Sequence, residues 1–239
     1  FFRDIKDSQF GGTRTSYLPK KFSLIWKNNF FNIGIDLKRY QLLNPFSFNE
    51  YKLKPSLTIQ SYISKNNLTW SVFASKQRFE LDQLNLLRPS YQKINRLFFS
   101  PSLSFKKDLP SSDLLLKAGS TYIKHELGSS QSSSSSPWLE IKYRMYLDKI
   151  DTSSISSLIP IIKYVYVQDS YANQSHLIDS RIISLDYSTI FQRDRFVGFD
   201  RISENNKIIF GLEKVTNNLD KDHFYSFSIG QAFYLNEKK

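Results

Sequence analysis

The chain has 239 residues, no cysteine, three histidines and a formal charge of +11. The missing cysteine excludes a disulfide, a thiolate nucleophile and a thiolate metal site from this segment. No stretch approaches the roughly 18 apolar residues of a transmembrane helix. That excludes a helical membrane protein but not a β-barrel, whose spans are shorter and only half apolar. Aromatic residues make up 15% of the chain, with 20 Phe and 14 Tyr against 8 Gly, which suits pleated, half-buried surfaces. The basic balance is compatible with nucleic acid, an anionic membrane or an anionic glycolipid, and equally with a general abundance of Lys and Asn. His125, His176 and His223 lie far apart without a second ligand at metal spacing and are expected on the surface or in loops. The opening Phe1-Phe2-Arg3 carries no signal-peptide pattern, so an internal fragment is expected.

Residues 1–20 show no sustained period and read as a loop remnant. Strand patterning then begins: Phe22, Leu24 and Trp26 alternate with Ser23, Ile25 and Lys27, and Asn28-Asn29 turns the chain. Phe31, Ile33, Ile35 and Leu37 face one way, and Asn32, Gly34, Asp36 and Lys38 the other, the period-two mark of a strand with one apolar face. After a break over 40–52, Leu53, Leu57, Ile59 and Ile63 alternate with Lys54, Ser56, Thr58, Gln60 and Tyr62. Ser64 to Asn67 turns into a strand over 68–79 that includes Trp70 and Val72.

A connection over 80–95 leads to Leu97, Phe99, Leu103 and Phe105 set against Arg96, Ser100, Ser102, Ser104 and Lys106. A turn at 107–112 precedes a weaker strand over 114–125. Gly128 through Pro137 is Ser-rich and is expected to be a flexible, exposed loop. The sharpest alternation follows, with Leu139, Ile141, Tyr143, Met145 and Leu147 opposing Glu140, Lys142, Arg144, Tyr146 and Asp148. An intermediate connection over 149–157 leads to a strand over 158–167, and then comes the longest connection, 168–206, in which 182–187 is a candidate short β segment. Strands over 207–216 and 224–235 close as a hairpin. Pro55, Pro101 and Pro160 are expected at or near strand starts, where a missing N–H is best tolerated.

This makes about ten strands of roughly 8–12 residues with no convincing helical period. Short and long connections alternate, as in outer-membrane barrels with short periplasmic turns and long outer loops. The fold expected is all-β: an antiparallel up-and-down transmembrane β-barrel, here a ten-strand part of a larger barrel, with 1–239 forming one partial barrel domain. A fragment is expected because an open sheet in lipid would leave unpaired edges. The apolar face would meet lipid. The polar face, including Asp36, Lys38, Thr58, Gln60, Ser100, Ser102, Lys142 and Arg144, would line the lumen, and Trp26, Trp70 and Trp138 would sit in aromatic girdles. A soluble β-sandwich carries the same alternation and stays open as the rival.

One stretch does not behave as a solvated loop. Residues 191–206 hold Phe191, Phe196, Val197, Phe199 and Ile202 among Arg193, Asp194, Arg195, Asp200, Arg201 and Glu204. Such a segment must pack against something, with its charges paired. The expected pairing is Arg193, Arg195 and Arg201 with Asp194, Asp200 or Glu204. No Ser/His/Asp order, glycine-rich phosphate loop or zinc spacing appears, so neither an enzyme nor a cofactor is expected.

The C-terminal third resembles the barrel of the lipopolysaccharide-assembly LptD family, also called organic solvent tolerance proteins. The resemblance rests on Ile159-Pro160-Ile161-Ile162-Lys163-Tyr164-Val165-Tyr166-Val167, Asn173-Gln174, Asp179-Ser180 and Asp186-Tyr187. It continues through Phe191-Gln192-Arg193-Asp194-Arg195-Phe196-Val197-Gly198-Phe199-Asp200-Arg201-Ile202, Asn205-Asn206, Gly211-Leu212 and Gly230-Gln231-Ala232-Phe233-Tyr234. Phe2-Arg3-Asp4-Ile5, Asp7-Ser8 and the strands starting at Lys54-Pro55 and Ser100-Pro101 match more loosely.

The resemblance implies the middle of a barrel of about 26 strands, in the outer membrane of a Gram-negative bacterium. It implies lipopolysaccharide transport and insertion, with a plug lipoprotein LptE, a periplasmic Lpt bridge reached through an N-terminal domain absent here, outer-membrane lipids around the wall, and no nucleic acid. It makes Phe191, Arg193, Asp194, Arg195, Phe196, Gly198, Asp200, Arg201 and Ile202 a structural motif loop folded into the barrel mouth, and Lys38, Lys142 and Arg144 candidate lumen contacts. A porin-like channel is the nearest alternative, and a sugar-binding sandwich a more distant one.

Overall fold

The computed structural model describes residues 17–42, 52–80, 93–128, 130–168, 180–202, 204–218 and 223–235. Its strands are β1 (Tyr17–Lys27), β2 (Phe31–Leu42), β3 (Lys52–Lys65), β4 (Leu68–Glu80), β5 (Lys93–Leu109), β6 (Ser112–Leu127), β7 (Ser130–Met145), β8 (Leu147–Ile150), β9 (Ser154–Val167), β12 (Asn205–Asn218) and β13 (His223–Tyr234). Between β9 and β12 lie β10 (Arg181–Ile182), a four-residue helix α1 (Tyr187–Ile190) and β11 (Phe196–Val197). The main sheet runs β1-β2-β3-β4-β5-β6-β7-β9-β12-β13, with β8 also paired to β9. Chain neighbours are sheet neighbours throughout, so the up-and-down antiparallel expectation holds.

The exposure pattern is inside-out, and it excludes the sandwich. On β5, Leu97 and Phe99 are each 41% exposed, whereas Arg96 and Phe98, which alternate with them, are buried. On β9 and β12, Ile162 and Phe210 are each 46% exposed, whereas Lys163 and Lys207 are buried. In a soluble sandwich the apolar face would be the covered one. Here one face leaves large apolar side chains open, while the covered face carries Arg96, Lys163 and Lys207 alongside apolar residues such as Phe98, Val165 and Ile209; an open apolar face is the arrangement of a sheet whose outer face meets lipid.

Several expectations need correction. The ten strands along the main sheet path are 11–17 residues long, most of them longer than the 8–12 expected, and β8 has only four. The Ser-rich stretch is the first half of β7. A run of five serines carries no periodicity of its own, and strand pairing imposes the conformation. Ser136 is fully buried and donates to the Gln168 carbonyl.

The expected 149–157 connection shrinks to a turn at 151–153, closed by the Asp151 amide donating to the Ser154 carbonyl at 2.8 Å. Pro101 and Pro160 lie inside strands, not at their starts. For Pro160 the reason is visible in the register. β7 pairs β9 up to Arg144↔Ile161, and β8 resumes at Leu147↔Leu158. Met145 and Tyr146 therefore stand opposite Pro160 and Ile159, where proline has no N–H to give the ladder. The Tyr146 amide donates instead to the Ser111 carbonyl at 2.7 Å.

By compactness the chain divides into two units: Phe1–Gln60 with Ala74–Leu97 and Lys124–Gln131, and Ser61–Phe73 with Phe98–Ile123 and Ser132–Lys239. In the first, small polar side chains tie strand to strand. Thr58 donates to the Gly34 carbonyl at 3.2 Å, Ser56 to the Asp36 carbonyl at 3.3 Å, and Ser23 to Asp36 at 2.7 Å. Lys54 and Arg78 both pair Glu80, at 2.9 and 3.0 Å, and Arg96 donates to Gln77 and stacks on Phe79. In the second unit lies the hydrophobic core: Phe98, Ile123, Trp138, Val165, Val167, Ile202 and Ile209, joined by Phe73, Ile190, Phe191, Phe199 and Ala232.

Candidate functional site: an insert docked on the polar wall

That core is built mostly from wall residues, with Ile190, Phe191, Phe199 and Ile202 contributed by the segment 180–202. The wall side follows from strand register. Val167 lies opposite Asn205, Val165 opposite Lys207, Lys163 opposite Ile209 and Ile161 opposite Gly211. On the next strand Lys207 faces Tyr234, Ile209 faces Ala232 and Gly211 faces Gly230. Alternation puts all of these on one face, so that face carries two lysines among valines and isoleucines and ends at a pair of glycines.

The insert begins as a two-residue ladder, Arg181↔Val197 and Ile182↔Phe196. Helix α1 follows. Asp186 caps it: its carboxylate accepts from the Thr189 amide at 2.8 Å, and Thr189 Oγ1 accepts from the Asp186 amide at 2.7 Å, a reciprocal capping box. Hydrogen bonds from the Ser188 hydroxyl and the Thr189 amide hold the Asp186 carboxyl below its ordinary range.

The glycines make the seat for α1. A Cβ added at Gly211 would stand 2.5 Å from Phe191 Cζ and 3.1 Å from the Tyr187 hydroxyl. One added at Gly230 would stand 2.5 Å from Ile190 Cδ1. A side chain at either position would force the insert's Phe191 or Ile190 to shift, which gives the Gly-Leu and Gly-Gln strand motifs a physical reason. Tyr187 packs edge-on to Phe191, with centroids 5.3 Å apart, and donates to Glu213 at 2.9 Å. Burial and then that carboxylate raise the Tyr187 phenol above its ordinary range.

The end of α1 leaves carbonyls without helical partners, and the two wall lysines take them. Lys163 Nζ donates to the Phe191 carbonyl at 2.7 Å and Lys207 Nζ to the Ile190 carbonyl at 3.0 Å. Lys163 also pairs the half-buried Glu140 at 2.5 Å, which compensates the buried ammonium with an opposite charge. Cations at a helix C-terminus are favoured electrostatically as well.

Beyond α1, Arg193 lies 4.1 Å over the Trp138 ring and bridges Asp194 at 2.8 Å, while its carbonyl accepts from Asn205 Nδ2 at 2.7 Å. Gly198 has φ 93, a left-handed conformation that side chains resist. It delivers Phe199 between Phe98 and Phe73, with ring centroids 4.6 and 5.5 Å away. Asp200 is buried, and its amide donates to Ser180 Oγ at 3.1 Å. Ile202 is buried in the core.

Of the motif residues singled out in the sequence, Phe191 and Ile202 reach the core, while Arg193 pairs Asp194 as expected. Arg195 lies 5.4 Å over Tyr234, and Arg201 lies 4.5 Å over Phe196. This stacking by a planar guanidinium was not anticipated. Among the candidate lumen cations, Lys142 sits 5.7 Å from the Phe191 ring, under the insert. Arg144 is engaged by Asp113, with Nε at 2.9 Å and a terminal nitrogen at 2.6 Å from Oδ2, and Tyr146 donates to the same oxygen at 2.6 Å. Lys38 belongs to the other unit, on β2 opposite Lys21.

Trp138 is buried beneath Arg193 rather than in a girdle, whereas Trp26 and Trp70 are exposed. His125 is a buried strand residue, not a surface one. His223 is exposed at the start of β13, and His176, Asn173, Gln174 and Asp179 lie outside the described residues. The wall residues that hold the insert, Lys163, Lys207, Glu140 and Trp138, were missed as a site. The available signal was a lysine at an inward position of an otherwise apolar strand, once in β9 and once in β12.

The family model for LPS transport system D, LptD, matches residues 1–239. Among curated relatives, the LPS-assembly protein LptD of Pseudomonas syringae pv. syringae (strain B728a) is 24% identical over 280 residues, covering 100% of this chain and 30% of that protein. The LPS-assembly protein LptD of Actinobacillus pleuropneumoniae serotype 5b (strain L20) is 25% identical, again over 100% of this chain and 33% of that protein. That of Sodalis glossinidius (strain morsitans) is 24% identical over 100% of this chain and 32% of that protein. The chain thus spans about a third of the length of these relatives.

Proposed function

The chain belongs to the LPS transport system D (LptD) family, and from that premise we propose that it is one stretch of barrel wall in a protein that carries lipopolysaccharide to the outer leaflet of the outer membrane. All of 1–239 would be part of a single larger barrel in a Gram-negative cell. A plug lipoprotein of the LptE kind and a periplasmic bridge would be its partners, the bridge reached through parts of the protein outside this chain.

The observation that carries the reading is the covered polar wall. Lys163 and Lys207 are both buried under an ordered insert, while the opposite face leaves Ile162 and Phe210 open. A passive channel needs a polar lumen, but it does not need a lumen filled by such an insert. A transporter of a large amphiphile needs both a lipid-facing outer surface and an inner wall that is closed when idle. Lys142, under the insert, is the candidate contact for a phosphorylated sugar. Arg144, already paired with Asp113, acts in the wall, and Lys38 is a lumen cation of the other unit.

The test is depletion of the full-length protein in its host, followed by labelling of surface lipopolysaccharide and affinity purification of the complemented protein. Loss of newly made lipopolysaccharide from the surface, with lipopolysaccharide and a small lipoprotein copurifying, is expected. Normal surface delivery on depletion would refute the reading.

A further inference from the structure

Resting on that reading, we infer that the insert is a releasable plug, and that Lys163 and Lys207 form its latch and exchange the α1 carbonyls for phosphate oxygens of the passing ligand. Three features point this way. First, the two ammonium groups do not hold the insert through its side chains. They hold two successive backbone carbonyls, Ile190 and Phe191, at the end of a helix of only four residues. Such acceptors are uncharged, so an anionic oxygen is the stronger partner for either lysine.

Second, one carboxylate, Glu140, is paired with Lys163, and Lys207 is held by a carbonyl and by the Tyr234 ring at 5.9 Å. With α1 lifted, this face presents Lys163 and Lys207, with Lys142 beside them on β7 opposite Lys163. Spaced cations on a rigid strand scaffold suit a phosphorylated sugar.

Third, the seat under α1 is smooth. Gly211 and Gly230 meet Phe191, Tyr187 and Ile190 without side chains of their own, so at these two positions no wall side chain has to move aside for the helix to leave. Both ends pack against the core, Phe199 on Phe73 and Phe98 at one end and Phe191 at the other, but the α1 end is also held by lysine–carbonyl hydrogen bonds that an anion can take over. The α1 end is therefore the end that opens.

The test uses the full-length protein in detergent with a single cysteine at Ile190→Cys and follows maleimide labelling. Slow labelling is expected at rest, at least tenfold faster in Lys163→Met/Lys207→Met, and close to the resting rate in Lys163→Arg/Lys207→Arg, which keeps the cations. Unchanged labelling in the methionine pair overturns the latch. Added lipopolysaccharide should accelerate labelling of the wild-type latch, and enzymatically dephosphorylated lipopolysaccharide should not. Equal effects of the two, or no effect of either, overturn the phosphate exchange.

A second arm pins the plug in cells by an Ile190→Cys/Gly230→Cys disulfide. Surface delivery should fall at least tenfold and return on reduction, and full delivery with the disulfide complete overturns the need for release. Loss of the proposed function itself reads differently: the unpinned, reduced protein would then fail to deliver lipopolysaccharide at all.

Discussion

The two compact units share one raw material, and only the second puts part of it to a further use. Both present polar side chains on one sheet face. In the first unit these residues satisfy one another across adjacent strands: Thr58 with Gly34, Ser23 with Asp36, Lys54 and Arg78 with Glu80. In the second, pairs such as Ser71 with Ser102 and Ser156 with Thr216 do the same, but Lys163, Lys207, Asn205 and Glu213 in addition each bond a separate segment, the insert. The difference shows what a buried lysine on a barrel wall implies. A wall that only has to line water can exchange short hydrogen bonds within itself. A wall carrying cations that reach for backbone carbonyls has been built to hold something.

The sharpest way to break this contrast is Lys163→Met. It leaves Glu140 without its cation and the Phe191 carbonyl without its donor, a loss of about 3–5 kcal/mol for a broken buried pair. The insert should become protease-sensitive while heat-modifiable gel mobility persists. Phe199→Ala removes the ring between Phe73 and Phe98 and should weaken insert docking by about 3 kcal/mol, read as a lower concentration of denaturant needed to expose the insert. Next come Gly211→Val and Gly230→Val, each of which forces a Cβ onto the docked insert and should cost about 1–3 kcal/mol by overpacking, measured in the same way.

Ser23→Ala, in the first unit, removes one exposed hydrogen bond and should change stability by about 0.5 kcal/mol or less, with no effect on protease sensitivity of the insert. The smallest effect concerns pH. The Asp186 carboxyl is held below its ordinary range, so its capping of α1 is fully present above the ordinary aspartate pKa. It is lost as pH falls through the lowered value. Labelling at Ile190→Cys should therefore rise only in acid and only slightly, and Asp186→Asn should flatten that rise.

Much of this was legible in the sequence because strand periodicity reports the face of each residue directly. The alternation over 31–38 and 139–148 marked which side chains share a face, and the charged, aromatic 191–206 stretch announced that it needed a wall. Three things were not legible. The serines of 130–136 have no pattern, so their strand exists only through pairing with a neighbour. Trp138 reads as an interfacial aromatic until Arg193 is seen stacked on it. Lys163 and Lys207 look like isolated charges in apolar strands, because their partners are backbone carbonyls of a distant segment, and a carbonyl leaves no mark in the sequence.

Hydrogen exchange of the 186–202 backbone in the full-length protein tests the docking of the insert most directly. Protection well above that of a solvated loop is expected at rest, collapsing in Lys163→Met/Lys207→Met. Exchange of the unsubstituted protein at the rate of an unstructured peptide, or protection unaffected by loss of both lysines, would contradict it.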